Sequence, residues 1–244
     1  MDDNKVAVIT GATSGIGSAV ATKLALVGYT VVLVGRNAER GSSLELELKS
    51  KELKATFFQC DVSNEEQVHK LQDFLADSFE KVDVLFNNAG MMPQSKEIER
   101  ISEEEWREVF DVNILGVFLV TKYLKGLICR CGGCIINNAS IAGMQSYVVG
   151  RSYAYSASKS AVVQFSRQMA LNYAREGIRV NCICPGIIDT PILGDRDKTE
   201  YANRIPLGYI GKPSDVANVV AFLASEQASY LTGIVLPIDG GASL

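Results

Sequence analysis

The chain has 244 residues, of which 47% are hydrophobic and 21% are charged, and its net charge at pH 7 is −4. This composition is typical of a globular protein with a substantial core, and the absence of a basic stripe with interleaved aromatic residues excludes an ordinary nucleic-acid-binding surface. No run approaches the roughly 18 apolar residues of a membrane helix, and no secretory signal is found. We therefore expect one cytoplasmic domain, residues 1–244, that binds neither nucleic acid nor membrane.

Apolar runs alternate with segments of helical period along the whole chain. Strands are predicted at residues 5–10, 30–34, 55–60, 82–86, 134–139, 179–184 and 235–238. Helices are predicted at 15–27, at 37–51, from 63, from 102 to about 129, through Tyr155 to about 176, and at 214–225. This alternation predicts an α/β fold, a single-domain, doubly wound parallel sheet of the Rossmann type with helices on both faces. Its ligand crevice would lie beyond the carboxyl ends of the strands.

Two segments match a capping box, in which a serine hydroxyl caps the first turn of a helix and an acidic side chain three positions later bonds back to the serine. They begin at Ser63 and at Ser102. We expect a helix to start at each.

A glycine-rich turn follows the first predicted strand, with Gly11, Gly15 and Gly17 in GxxxGxG spacing. Glycines there allow a tight turn, close approach of the backbone to a pyrophosphate, and close packing of the helix on the strand. The helix N-terminus also favours negative charge. The turn therefore predicts a dinucleotide site, and its remaining expected contacts are Thr13, Ser14 and Ile16.

The second predicted strand ends in Gly35 and Arg36, where an acidic residue would bind the adenosine ribose of NAD. Because arginine suits a 2′-phosphate, NADP is the favoured cofactor and NAD the second choice, with a solvated surface arginine as the alternative. After the third strand, Asp61 could hydrogen-bond the adenine amino group and Val62 could pack on the ring. A plain helix-capping role for Asp61 stays open.

Tyr155 and Lys159 are four positions apart in a predicted helix and so share one face. A free phenol has a pKa of about 10, and a nearby ammonium lowers it. We expect this pair to exchange a proton with an alcohol or ketone oxygen, which indicates an oxidoreductase. Tyr153 has no such partner and is interpreted as a structural residue or a pocket wall.

Taken together, the motifs resemble the short-chain dehydrogenase/reductase family over essentially the whole chain. In order, the matching segments are TGxxxGxG at 10–17, NNAG at 87–90, Asn113, Ser140, Tyr155 with Lys159, and Pro185-Gly186 with Thr190 beyond. The resemblance implies that a nicotinamide cofactor gives hydride to a carbonyl carbon while the protein protonates the oxygen, and that oxidation is the reverse.

The resemblance also implies roles for single residues. Asn113 would help to hold a proton-relay water, Ser140 would hydrogen-bond the substrate oxygen, and Tyr155 would be the acid/base. Lys159 would bind the nicotinamide ribose and lower the pKa of Tyr155. Further cofactor contacts would come from Asn88, Ala89, Gly90, Pro185, Gly186, Ile188 and Thr190, the last of which would touch the carboxamide.

The expected substrate is a small alcohol or carbonyl compound, with steroids, bile acids, sugars and polyols all open. Candidate pocket residues are Met91, Met92, Gln145, Tyr147, Ile187, Ile192 and Leu193, although each could be core. Residues 193–198 could form a mobile lid or an ordinary loop. A 3-oxoacyl carrier-protein reductase is an alternative that the acidic balance opposes. A non-catalytic cofactor sensor is another, but it would usually have lost Tyr155 or Lys159.

The resemblance further implies pairing of copies through the two long helices, so a homotetramer is expected, with a dimer second. Cys129, Cys131 and Cys134 form a CxCxxC cluster, which we interpret as a helix end turning into a strand. Tetrahedral metal sites usually need four protein ligands, and His69 is the single histidine, so no metal is expected.

Overall fold

Seven parallel strands form one sheet in the computed structural model, which describes residues 5–128, 130, 132–144, 152–194 and 198–244. The strands are β1 (Val6–Thr10), β2 (Thr30–Gly35), β3 (Ala55–Gln59), β4 (Val84–Asn87), β5 (Cys134–Asn138), β6 (Arg179–Pro185) and β7 (Val235–Ile238). Their order across the sheet is β3-β2-β1-β4-β5-β6-β7. The predicted doubly wound sheet is confirmed, with boundaries shifted by one or two residues.

The helices are α1 (Gly15–Leu26), α2 (Ala38–Ser50), α3 (Glu65–Ser78), α4 (Glu103–Phe110), α5 (Gly116–Ile128), α6 (Tyr153–Tyr173), α7 (Lys198–Ala202) and α8 (Pro213–Ala224). A π-helical turn, Asp111–Leu115, joins α4 to α5, so the single helix predicted from 102 to 129 is interrupted. Such turns often mark functional sites, because they reorient side chains within a helix. The short helix α7 was not predicted. Among the described residues, no helix has the length and hydropathy to cross a membrane.

The two predicted helix starts have different outcomes. Ser102 caps α4 as expected, since its hydroxyl accepts a hydrogen bond from the Glu105 amide at 3.1 Å. At α3 the cap is Asn64, whose side chain accepts from the amide of Gln67 at 3.0 Å. Ser63 does not take that role; its hydroxyl and amide both donate to Asp61 Oδ1 in the turn before the helix. Asp61 therefore closes a local turn with Ser63, and the helix-capping role considered for it is wrong, because Asn64 is the cap of α3.

Alternate residues of each central strand enter different cores. On β1, Ala7 and Ile9 pack with α1 and α8, whereas Val6 and Val8 pack with α3 and α5. All five residues of β1 are buried, which is why this strand is apolar without polar alternation. Full burial of one aliphatic side chain contributes about 1.5–3 kcal/mol. These two cores cover both faces of β1, and the residues at the carboxyl ends of the strands form one rim of the sheet.

Candidate active site

A cavity of about 520 Å³ opens beyond the carboxyl ends of the strands, beside the point between β1 and β4 where the strand order reverses. This is the place where an open α/β sheet binds ligands. Its lining includes nearly all predicted site residues, namely Gly11, Thr13, Ser14, Gly15, Ile16, Arg36, Asp61, Val62, Asn88, Ala89, Gly90, Ser140, Tyr155, Lys159, Pro185, Gly186, Ile188 and Thr190. Gly17 and Asn113 are the predicted site residues that do not line the cavity.

The glycine-rich turn forms a cradle that side chains would fill. Gly11 and Gly15 have φ angles of 63° and 54°, in the left-handed region that favours glycine. A Cβ on Gly17 would lie 2.1 Å from the Gly11 carbonyl oxygen, so Gly17 permits α1 to pack against the turn. The side chain of Ser14, at the N-cap of α1, makes no capping hydrogen bond. The first amides of α1 thus face the cavity without a side-chain cap, and this cradle fits a pyrophosphate.

Asn88 ties the ends of three strands together. Its side-chain amide donates to the carbonyl oxygens of Thr10 and Gly11, at 2.9 and 3.2 Å. Its Oδ1 accepts from the side-chain amide of Asn138 at 2.8 Å. The Thr10 hydroxyl in turn accepts from the backbone amides of Asn88 and Ala89. The NNAG segment therefore fixes the glycine-rich turn of β1 against the end of β5.

Positive charge gathers at one end of the cavity. Arg36 is largely exposed, and its Nη1 lies 3.7 Å from Asp61 Oδ2. Arg40, in the first turn of α2, also lines the cavity. Sequence reasoning missed Arg40, although its place four positions after Arg36 was a usable signal. A Cβ on Gly35 would lie 2.7 Å from Thr13 Cγ2, so the turn crowds the position where an acidic residue would stand.

Ser140, Tyr155 and Lys159 meet in the wall of the cavity. Ser140 follows β5, and its hydroxyl shares a hydrogen bond with the Tyr155 phenol. Tyr155 lies in the first turn of α6, and Lys159 lies one turn later on the same face. Lys159 is only 4% exposed, its Nζ donates to the Asn138 carbonyl at 2.7 Å, and that nitrogen is 5.8 Å from the centre of the Tyr155 ring. The structure thus brings together the groups that the sequence predicted.

The pKa of Tyr155 is shifted in the opposite direction from the one that the sequence predicts. Burial raises the pKa of Tyr155, the hydrogen bond with Ser140 opposes that shift, and the nearby Cys184 adds to it. The prediction that Lys159 lowers the pKa of Tyr155 is wrong for this structure. The lysine points to the Asn138 carbonyl, and burial lowers the pKa of Lys159 itself to about 8. The phenol consequently keeps its proton at neutral pH.

Asn113 occupies the π-helical turn and is fully buried. Its Oδ1 accepts from the amide of Met91 at 2.8 Å, and its Nδ2 donates to the Met91 carbonyl and to the Ser158 hydroxyl, both at 3.0 Å. The side chain therefore joins the loop after β4 to α6. Its expected part in holding a water stays a prediction.

The other end of the cavity is apolar. Of the predicted pocket residues described, Met92, Ile187, Ile192 and Leu193 line it, whereas Met91 does not. Gln145 and Tyr147 lie outside the described residues. Tyr201 of α7 also lines this end. Sequence reasoning missed it because a five-residue helix carries little periodic signal.

The segment considered as a lid is only partly described, since residues 195–197 lie outside the described ranges. Leu193 and Gly194 precede this gap and Lys198 follows it, at the start of α7. Lys198 Nζ lies 2.7 Å from Asp189 Oδ1. This ion pair connects α7 to the residue just before Thr190. Tyr153, the tyrosine judged to be structural or a pocket wall, is 39% exposed and is not part of the cavity lining.

Neither Cys134 nor His69 lines the described cavity. Cys134 is buried in β5, and Cys129 and Cys131 lie outside the described residues. His69 pairs with Asp73 on an exposed face of α3. Within the ranges that the structure describes, no group of three or more His, Cys, Asp or Glu side chains is placed to hold a metal ion.

The comparisons with known proteins agree on one family. The family model described as enoyl-(acyl carrier protein) reductase, a short-chain dehydrogenase/reductase model, matches residues 11–243. A 3-oxoacyl-(acyl-carrier-protein) reductase of Aquifex aeolicus is 38% identical over 242 residues, covering 97% of this chain and 96% of that protein. A 3beta-hydroxysteroid dehydrogenase of Mediterraneibacter gnavus is 35% identical over 264 residues, covering 98% and 95%.

Among solved structures, the crystal structure of an actinorhodin polyketide ketoreductase variant with NADPH superimposes with a TM-score of 0.93. The two sequences are 34% identical, and the match covers 100% of this chain and 98% of the other. The names of these relatives refer to different substrates, so the similarity assigns the family and leaves the substrate open.

Proposed function

The chain belongs to the short-chain dehydrogenase/reductase family, and from this premise we propose that its 244 residues form one dinucleotide-binding and catalytic domain that interconverts a secondary alcohol and a ketone. The observation that carries the proposal is that a single cavity joins the glycine-rich cradle to Ser140, Tyr155 and Lys159. A cofactor site and an acid/base pair in one space are what hydride transfer with proton transfer requires.

NADP is the proposed cofactor, with NAD as the second choice. The cradle at Gly11 and Gly15 would hold the pyrophosphate, and Arg36 with Arg40 would face the 2′-phosphate. Crowding at Gly35 supports this choice, because a Cβ there would lie 2.7 Å from the Thr13 methyl group, which would have to move. The related ketoreductase structure contains NADPH, which also favours NADP. Among the remaining cavity residues, the proposed cofactor contacts are Thr13, Ser14, Ile16, Asp61, Val62, Asn88, Ala89, Gly90, Tyr155, Lys159, Pro185, Gly186, Ile188 and Thr190.

A bound nicotinamide would supply the hydride, and the protein residues would manage the oxygen and its proton. Tyr155 holds its proton at neutral pH and would donate it to the carbonyl oxygen during reduction. Ser140, which already bonds the phenol, would donate a hydrogen bond to the same oxygen. One such donor contributes roughly 3–4 kcal/mol in comparable sites. Lys159 would orient the cofactor ribose from its buried position.

The substrate proposed is an uncharged, largely apolar ketone or the corresponding alcohol. Met92, Ile187, Ile192 and Leu193 support this, because they offer dispersion contacts and burial of apolar area but few hydrogen bonds for a sugar. The steroid dehydrogenase relative is consistent with such a substrate. A second candidate is a 3-oxoacyl carrier-protein thioester, which the name of the Aquifex aeolicus relative favours.

A non-catalytic sensor is disfavoured because Tyr155 and Lys159 both line the cavity. The homotetramer stays a prediction. It is supported by Phe118 of α5, which is 43% exposed and lies beside Phe165 of α6, so that the two long helices share an apolar surface. The cytoplasmic location also stays a prediction.

A substrate panel tests the proposal. The purified protein is assayed with NADPH and with NADH against steroid ketones, cyclic ketones, a sugar ketone and an acetoacetyl thioester of acyl carrier protein, with nicotinamide absorbance as the signal. We expect turnover of the apolar ketones with NADPH. Turnover of the thioester alone would shift the substrate to the second candidate, activity with NADH alone would overturn the cofactor choice, and no turnover with any member would contradict the reaction.

A further inference from the structure

Ser158 lies between Tyr155 and Lys159 in the sequence of α6 but faces away from the cavity. Its side chain is fully buried. The hydroxyl donates to the Tyr155 carbonyl at 2.8 Å and accepts from Asn113 Nδ2 at 3.0 Å. Both its hydrogen and an oxygen lone pair are thus engaged, each by a group adjoining the catalytic centre.

Asn113 extends this link to the loop after β4. Its remaining hydrogen bonds grip the amide and the carbonyl of Met91, the residue next to the cavity-lining Gly90. A Cβ on Gly90 would lie 3.2 Å from Asn113 Oδ1 and 3.4 Å from Lys159 Nζ, so the loop and α6 are closely packed here. Three hydrogen-bonded steps therefore connect Met91, which lies between the cavity-lining Gly90 and Met92, through Asn113 and Ser158, to the backbone of Tyr155.

A second serine on the same helix offers a direct contrast. Ser166 is 2% exposed, donates to the helix's own Val162 carbonyl at 2.6 Å, and accepts from Asn137 Nδ2 at 2.8 Å. Two of its bonds match those of Ser158, one to a carbonyl one turn earlier and one from a buried asparagine, and Ser166 also shares a hydrogen bond with the Cys182 side chain. Neither Ser166 nor Asn137 is part of the cavity lining. Loss of either serine hydroxyl removes the same kinds of bond, but only Ser158 adjoins the reacting groups.

We propose that Ser158 is a positioning residue for catalysis. Through Asn113 it holds the first turn of α6, and with it the Tyr155 phenol, in a fixed position relative to the loop after β4, in which Gly90 lines the cavity. The inference rests on the proposed function, because register matters only if Tyr155 transfers a proton during hydride transfer. Proton transfer needs the phenol within hydrogen-bond reach of the substrate oxygen. A displacement of about 1 Å can cost about 100-fold in rate.

The test compares Ser158→Ala with Ser166→Ala in the full chain. Each substitution removes at least two buried hydrogen bonds, so we expect Tm to fall in both by a few degrees, about 2–8 °C. Ser158→Ala should lower kcat about 10- to 100-fold and raise the deuterium isotope effect with NADPH deuterated at nicotinamide C4, with little change in the NADPH dissociation constant. Ser166→Ala should keep kcat within about twofold of the wild-type value.

Equal losses of kcat in the two variants, or wild-type kcat in Ser158→Ala, would overturn the positioning role. Ser158→Cys, which keeps the volume but bonds weakly, replaces the alanine variant if that variant does not fold, and the same comparison applies.

A measurement that needs no turnover tests the positioning role of Ser158 separately from the proposed reaction. The ¹³C ring resonance of Tyr155, assigned by its loss in Tyr155→Phe, should change its position and titration in Ser158→Ala and not in Ser166→Ala. An unchanged Tyr155 resonance in Ser158→Ala contradicts the positioning role even if no substrate on the panel is turned over. A changed resonance supports it independently of the panel.

Discussion

The two ends of the cavity differ in how exposed their charged side chains are. At the cofactor end, the side chain of Arg36 is 62% exposed and faces Asp61 across 3.7 Å. At the catalytic end, Lys159 is 4% exposed and burial lowers its pKa to about 8. Interactions between exposed charges are screened by water and salt, whereas buried groups interact at low dielectric. We infer that the catalytic end determines whether the reaction occurs, and that the exposed end tunes which dinucleotide is used.

The largest effect expected at the catalytic end comes from Tyr155→Phe. Removal of the phenol oxygen removes the proton donor, so kcat should fall about 10²- to 10⁴-fold, while the dissociation constant for NADPH changes little. Steady-state kinetics and a binding titration measure the two effects. Tyr153→Phe is the matched control because Tyr153 lies in the same helix turn but outside the cavity. Full activity of Tyr155→Phe would disprove the acid/base assignment.

Lys159→Met tests how much the buried ammonium group of Lys159 destabilises the folded protein. The pKa of Lys159 is lowered from 10.5 to about 8, so below pH 8 both folded and unfolded chains carry the proton and the folded state bears the full burial penalty. Between about pH 8 and 10.5 the unfolded chain binds more protons, and wild-type stability should rise relative to the variant by up to about 3 kcal/mol.

Urea unfolding of wild-type protein and Lys159→Met at pH 7 and pH 10.5 measures this difference. The variant also leaves the Asn138 carbonyl without its lysine donor, which offsets part of any gain in stability at pH 7. The change in the stability difference with pH is independent of that loss. A difference that stays constant across this pH range would show that the ammonium is not destabilised by burial.

The smallest effect is expected at the exposed end, from Arg36→Ala. Loss of one charged contact to a 2′-phosphate costs about 1.5–3 kcal/mol, so KM for NADPH should rise about 10- to 100-fold while KM for NADH changes little. The effect should shrink at high salt, because the contact is exposed. Arg107→Ala, at an exposed ion pair on α4, is the control. An equal rise in KM for both dinucleotides would argue against recognition of the 2′-phosphate.

Local features of the chain were predicted well from sequence. The apolar run of β2 indicated a strand covered on both faces, and Ser102 marked the start of α4. These predictions succeed because each depends on residues adjacent in the sequence. The cap at α3 was misplaced by one residue because Asp61, outside the capping pattern, binds Ser63.

The amino-acid sequence by itself determined the parallel sheet, the glycine-rich turn and the shared helix face of Tyr155 and Lys159, since periodicity and spacing act over a few residues. Only the tertiary structure decided that burial raises the pKa of Tyr155 and that Ser158 bonds to Asn113, 45 positions away. The physical reason is that desolvation and long-range hydrogen bonds depend on which surfaces the packed sheet and helices bring together, and no local pattern records that.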